Sequence, residues 1–193
     1  MSKLIKSQGP LLALIGLVIL FSVFTESFAS LSNLAAILEA AAIPAIVAIG
    51  LSFILMQASI DLSVEGVASL ANIVLSITVA NSVTATDIGL WAIPLVLAVG
   101  VLVGATSGAV SIYVRMPSLI VTLGSLFAVQ GIVLGLTVLI TKSTSVALTV
   151  EGPAKSVFGD FVLGGQVQAM VIWWLVVTAA YTYFVHFSRF GNW

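Results

Sequence analysis

Six apolar stretches, at roughly 8–24, 36–57, 62–81, 88–114, 118–141 and 166–187, take up most of this 193-residue chain. Each is long enough to cross a bilayer as a helix, which takes about 20 residues. Runs of that length are far too long for ordinary buried strands, and they lack the alternation that marks the strands of a transmembrane barrel. Only 7% of the residues are charged while 61% are hydrophobic, and the mean hydropathy is +1.27. A soluble domain carries about a quarter charged residues, so this surface cannot be kept in water. The sequence predicts an all-α integral membrane protein, a polytopic bundle of about six transmembrane helices making one transmembrane domain over 1–193.

The same composition excludes several classes of function. With no Cys and a single His, there is no disulfide, no thiolate metal site and no His-pair zinc site, and no cofactor is implied. A net charge of −1 supplies no basic face for nucleic acid, so the surrounding partner is membrane lipid. The chain has no Gly-x-x-x-x-Gly-Lys-Ser/Thr loop to cradle phosphates, which assigns any ATP chemistry to a partner. No activated nucleophile is evident, and His186 falls at a membrane edge, so no catalytic residue is predicted.

Lys and Arg set the orientation of membrane helices. An N-terminus inside places Lys3, Lys6, Arg115, Arg189 and His186 on the cytoplasmic side, and Lys142 and Lys155 outside with Glu26, Glu39, Asp87, Glu151 and Asp160. The opposite orientation puts most of the basic residues outside, so both termini are predicted to be cytoplasmic. The longest connection, 142–165, is rich in Ser, Thr and Gly and reads as an outer loop with a short surface helix. The first run follows Lys3 and Lys6 as a secretory signal would; because further spans follow without a soluble domain, an uncleaved first helix is the favoured reading. Pro10 and Pro94 fit the first turn of their helices, while Pro44 lies deeper and predicts a kink or a later helix start. Gly100, Gly104 and Gly108, and then Gly131 and Gly135, recur every fourth residue and predict faces where helices approach closely in lipid.

Asp61 and Glu65 are the only charges between Ala40 and Thr86. A carboxylate in or near hydrocarbon is costly and needs a structural or functional reason. Asp61 stands at the predicted cytoplasmic start of the third helix, where it would cap free N–H groups and meet the positive dipole end. Glu65 then follows one turn later, and two ionised carboxylates at that spacing repel, so water reaches them or one is protonated. The functional alternative is a polar gate or ion site at a break between helices. Ser69, Asn72, Ser76 and Thr78 continue a polar stripe that suits either a water-filled path for a hydroxylated solute or hydrogen bonding between helices. Trp173, Trp174, Tyr181 and Tyr183 on the last helix are expected in the interfacial belt or facing lipid.

Four segments carry a resemblance. Ala58-Ser59-Ile60-Asp61-Leu62-Ser63-Val64-Glu65 is similar to Gly-Gly-Ile-Asp-Leu-Ser-Val-Gly, with the three glycines replaced and the Ile-Asp-Leu-Ser-Val core kept. Pro117-Ser118-Leu119-Ile120-Val121-Thr122-Leu123-Gly124 is similar to Pro-x-(Ile/Phe)-Ile-x-Thr-Leu-Gly. Ser30-Leu31-Ser32-Asn33-Leu34 and His186-Phe187-Ser188-Arg189-Phe190-Gly191 complete the set. In order and spacing they resemble the permease subunits of bacterial ABC importers for ribose, xylose, arabinose, galactosides and related small molecules, over nearly the whole chain.

The resemblance implies a channel subunit of the bacterial inner membrane, with alternating access driven by cytoplasmic ATPase subunits. It also implies a periplasmic solute-binding protein that delivers a small sugar or polyol, and a second permease copy or homologue. Ser59, Asp61, Ser63, Glu65, Ser69 and Asn72 are the candidate residues of the translocation path, and His186, Arg189, Phe190 and Gly191 the candidates for ATPase coupling. Family permeases continue past Arg-Phe-Gly with a coupling segment and further helices, so the chain is expected to correspond to the amino-terminal part of one. Two other readings stay open: an ion-coupled secondary carrier using Asp61 and Glu65, and a membrane fragment that carries nothing.

Overall fold

The computed structural model describes residues 2–81, 83, 84, 86–144, 152–162, 165 and 167–187, with the side chains of all but 2–7 and 154. Helix α1 (Ser2–Phe24) runs straight through Pro10, which therefore lies inside the helix and not in its first turn. The chain turns into α2 (Leu31–Met56) at Ser30, an N-cap whose hydroxyl accepts the Asn33 N–H. Asn33 in turn donates its side-chain amide to the Phe28 carbonyl at 2.7 Å, and Phe28 stacks on Phe21 of α1 with centroids 5.5 Å apart. Local polar bonds and one aromatic pair thus fix this corner. Because the cap sits at Ser30, α2 starts earlier than the apolar run suggests, and Pro44 falls within it.

Helix α3 (Val64–Thr78) has 15 residues, fewer than its apolar run, and at 1.5 Å per residue covers only ~22 Å of a hydrocarbon core about 30 Å thick. At its far end Thr84 donates to Ile77 C=O, and Asn81 accepts from the Val83 and Thr84 amides while donating to Val79 C=O. Val79 and Ala92 bury each other there, with Leu75 and Ile88 packed around them. A 3-10 turn (Gly89–Trp91) leads into α4 (Ala92–Val114), which carries Pro94 in its first turn as expected. Arg115 in a left-handed conformation ends α4, and α5 (Ser118–Thr141) follows immediately.

In the predicted outer loop a short helix, α6 (Pro153–Gly159), does form. A feature the sequence did not suggest comes next: two-residue strands β1 (Phe161–Val162) and β2 (Val167–Gln168), paired antiparallel with Phe161 opposite Gln168. Helix α7 (Ala169–Phe187) closes the described chain.

Helix α3 packs mainly on α5 and α4, whereas α2 pairs with α7 and α6 lies against α7. Ser52 of α2 donates to the Tyr181 hydroxyl of α7 at 3.0 Å, and Phe53 meets Tyr181 and Phe184 edge-on. Trp173 donates to Val157 C=O at 2.8 Å and lies beside Phe158, pinning α6 to α7. Tyr181 and Trp173 of α7 thus also take part in helix packing. Leucine, isoleucine, valine and phenylalanine side chains stand exposed along every long helix, a surface that belongs in lipid. Among the described residues four helices are long and apolar enough to cross a membrane, and two shorter apolar helices, Gln8–Phe24 and Val64–Thr78, accompany them.

The glycine faces are only partly used. A Cβ added at Gly100 would meet Val67 at 3.7 Å, but at Gly104, Gly108, Gly131 and Gly135 it would meet nothing within 4 Å. The close approach falls at Gly66 instead, where a Cβ would stand 3.3 Å from both the Leu126 carbonyl and the Val129 Cβ. Repeated glycines marked helices able to pack closely, but the single glycine beside the helix break is the one the contact requires.

Candidate functional site

Asp61 sits where the chain leaves helix between Met56 and Val64, and Glu65 stands in the first turn of α3 just after it. The Ala58 N–H bonds to Leu55 C=O at 2.9 Å and the Ser59 N–H reaches back to Ile54 C=O at 3.2 Å. This pair of bonds is a Schellman closure, which sets its turning residue in the left-handed region where glycine is favoured. Here that residue is Ala58, with φ +56°. The replaced glycine has not abolished the turn.

Asp61 lies two residues ahead of Ser63, which occupies the N-cap position of α3. Its Oδ1 accepts the Ser63 N–H at 2.7 Å and the Ser63 hydroxyl at 2.6 Å. The carboxylate thus closes a turn onto the cap residue and does not bond to an amide inside the helix. Asp61 and Glu65 accordingly do not share one helical face, because α3 begins only at Val64.

Three further backbone groups of the break are held by α5. Ser118 Oγ accepts the Ile60 N–H at 3.2 Å. Thr122 Oγ1 accepts the Leu62 N–H at 3.1 Å and lies 3.3 Å from Ile60 C=O, to which it can donate. Non-helical backbone inside a membrane protein persists only where such groups find partners. Ser118 and Thr122 are one turn apart, and Leu126 and Val129, which face Gly66, continue the same stripe of α5. Two motifs about sixty residues apart in sequence meet here in space.

Of the six path candidates, Ser63 is buried with its hydroxyl engaged, while Asp61, Ser59 and Ser69 are half-buried. Glu65, Ala68 and Asn72 are exposed, and their spacing puts them on one line of α3. Asn72 accepts from the buried Ser76 hydroxyl at 3.2 Å. His186 is exposed near the end of α7, while Arg189, Phe190 and Gly191 lie outside the described residues. Among the described residues no group of acidic or histidine side chains is placed to hold a metal ion.

Near the N-terminal end of α2, two cavities of about 310 and 320 Å³ share Ser32. One is lined by the α1–α2 turn, the other by Glu39, Phe161 and Gly165. Glu39 Oε1 accepts the Gln168 N–H there, tying α2 to β2. Nothing in the residue pattern signals this link, since a lone Glu carries no partner information.

Comparison with known proteins bears on the family of the chain. Residues 33–193 match the family described as "Branched-chain amino acid transport system / permease component". The ribose import permease protein RbsC of Escherichia coli strain K12 is 28% identical over 187 residues, 96% of this chain and 56% of that protein. The xylose transport system permease protein XylH of the same strain is 34% identical over 172 residues, 83% of this chain and 41% of that protein. Its inner membrane ABC transporter permease protein YjfF is 28% identical over 197 residues, 98% of this chain and 56% of that protein. The chain thus spans about half the length of these curated relatives. No solved structure matches significantly. With its family match over most of its length and its polytopic helical fold, the chain belongs to the permease-component family of these membrane transport systems.

Proposed function

We propose that this chain forms part of the membrane pathway of an ATP-driven importer for a small sugar or related polyol. The observation that carries the reading is the uncovered line Glu65–Ala68–Asn72 on α3, directly after the pinned break. Polar and ionisable groups on a membrane helix face water or a partner, since facing lipid is costly. Asn72 and the hydroxyls of Ser59 and Ser69 exchange hydrogen bonds with a neutral polyhydroxylated solute without charge compensation. The names of the ribose and xylose permeases favour a sugar, whereas the family description names branched-chain amino acids.

In this reading Ser59, Asp61, Glu65, Ser69 and Asn72 border the path, and Ser63 supports it from beneath. A cytoplasmic ATPase docks at or beyond His186, Arg189, Phe190 and Gly191, a periplasmic binding protein delivers solute, and a second permease copy or homologue completes the pathway. The protein resides in the bacterial inner membrane with both termini cytoplasmic. Uptake of labelled ribose, xylose and leucine tests this in cells that carry the chain within its complete importer. Sugar uptake that stops when the ATPase is inactivated, and survives collapse of the ion gradients, is expected. Uptake that follows the ion gradient instead would favour a secondary carrier using Asp61 and Glu65, and uptake of leucine alone would reassign the substrate.

A further inference from the structure

We infer that Thr122 is a releasable clamp on the Asp61 segment, and therefore a positioning residue for the pathway; its role in transport rests on the function proposed above. The Thr122 hydroxyl brackets Asp61, reaching the peptide carbonyl before it, at Ile60, and the amide after it, at Leu62. No other residue of the break is gripped on both sides by one side chain among the described bonds. A hydroxyl has one proton to donate, and two carbonyls compete for it: Ile60 at 3.3 Å and Leu119, in its own helix, at 3.4 Å. A small shift of α5 along the break decides which one receives it.

Other threonines show what this one has given up. Thr137 and Thr141 of α5, and Thr178 and Thr182 of α7, donate to the carbonyl four residues back at 2.7–2.8 Å. That is the ordinary way a threonine satisfies itself inside a helix. Thr122 instead keeps only a long back-bond and turns toward the neighbouring segment, although it is 7% exposed. On release, its hydroxyl returns fully to Leu119 and leaves no buried donor unpaired. The freed Ile60 and Leu62 groups then need water, so release of the clamp and wetting of the Asp61 segment are one event. Gly66 sets the sensitivity of this device, because its contact with Leu126 and Val129 allows α3 to follow the same stripe of α5 without a side chain between them.

The chain has no cysteine, so Ser59→Cys gives a unique reporter in the break. Its rate of reaction with a hydrophilic maleimide can be measured in lipid nanodiscs, where both faces are open. Thr122→Val removes the hydroxyl at nearly constant shape and is expected to raise that rate about tenfold, the equivalent of ~1.4 kcal/mol. Thr122→Ser keeps the hydroxyl that makes these bonds and should stay within about twofold. Ser118→Ala, which removes only the bond to the Ile60 N–H, should give a smaller rise and carries the test if the valine variant fails to accumulate. A cysteine at Ala42, buried on α2, reports whether the fold has loosened generally. Unchanged labelling at position 59 in Thr122→Val or Ser118→Ala, or an equal rise at position 42, would overturn the clamp. Loss of sugar uptake by the parent importer would strike the proposed function while leaving this labelling result standing.

Discussion

At the residue scale, Asp61 works first as a hydrogen-bond acceptor. Asp61→Ala strands the amide and hydroxyl of Ser63, a residue only 2% exposed, and should cost about 1–3 kcal/mol, read as a lowered thermal midpoint in detergent. Asp61→Asn keeps a carbonyl oxygen for the same two bonds, so the midpoint should hardly move. If uptake is nevertheless lost at normal abundance, the charge itself serves transport and the residue is more than a brace. Ala58 gives an opposite prediction. Its φ of +56° costs a side-chain-bearing residue about 1–2 kcal/mol, partly offset because glycine leaves a freer unfolded chain. Ala58→Gly should therefore raise the midpoint modestly, and a lowered midpoint would mean that the turn is not held as described. The importance of Asp61 is legible in the sequence because a lone carboxylate in an apolar run is conspicuous. Thr122 is not legible, because a threonine in an apolar helix ordinarily bonds to its own backbone, and only the neighbouring strand of the break shows otherwise.

At the scale of elements, hydropathy located the helices and misplaced their ends. The apolar run at 62–81 continues past both ends of α3, because Leu62 and Val79 are apolar while their backbone has left the helix. Ends are decided by specific bonds: Ser30 to Asn33, Asp61 to Ser63, Asn81 to Thr84. Likewise the pairing of α2 with α7 depends on Ser52, Phe53 and Tyr181, whose mutual distance no spacing rule supplies. The glycine contact makes a sharp comparison. Gly66→Val pushes against the Leu126 backbone oxygen, which cannot rotate away as a side chain does, and should destabilise by about 1–3 kcal/mol as an overpacked contact. Gly135→Val places its Cβ where nothing stands within 4 Å and should stay within about 0.5 kcal/mol of the parent. Equal effects of the two substitutions on thermal stability would remove the case for a close α3–α5 contact.

At the scale of the molecule, the membrane class was legible from composition, since no arrangement hides 61% hydrophobic residues from water in a chain with so few charges, and its helical form from the length of the apolar runs. Its permease character was carried by four motifs in order and spacing, of which the fold brings Ile60–Val64 and Pro117–Gly124 into contact. Orientation rests on the basic residues: a cysteine at exposed Lys155 should react with an impermeant reagent applied from outside intact cells, and reaction from the cytoplasmic side alone would invert the topology. The exposed line of α3 remains the feature that most directly joins structure to transport. Cysteines at Glu65 and Asn72, introduced into the complete importer, should react with a hydrophilic maleimide and be slowed by the transported sugar. Phe127 of α5, 65% exposed on an apolar face, should be unreactive as a lipid-facing reference. If positions 65 and 72 are as unreactive as 127, or react at a rate that sugar does not change, α3 does not line the solute pathway.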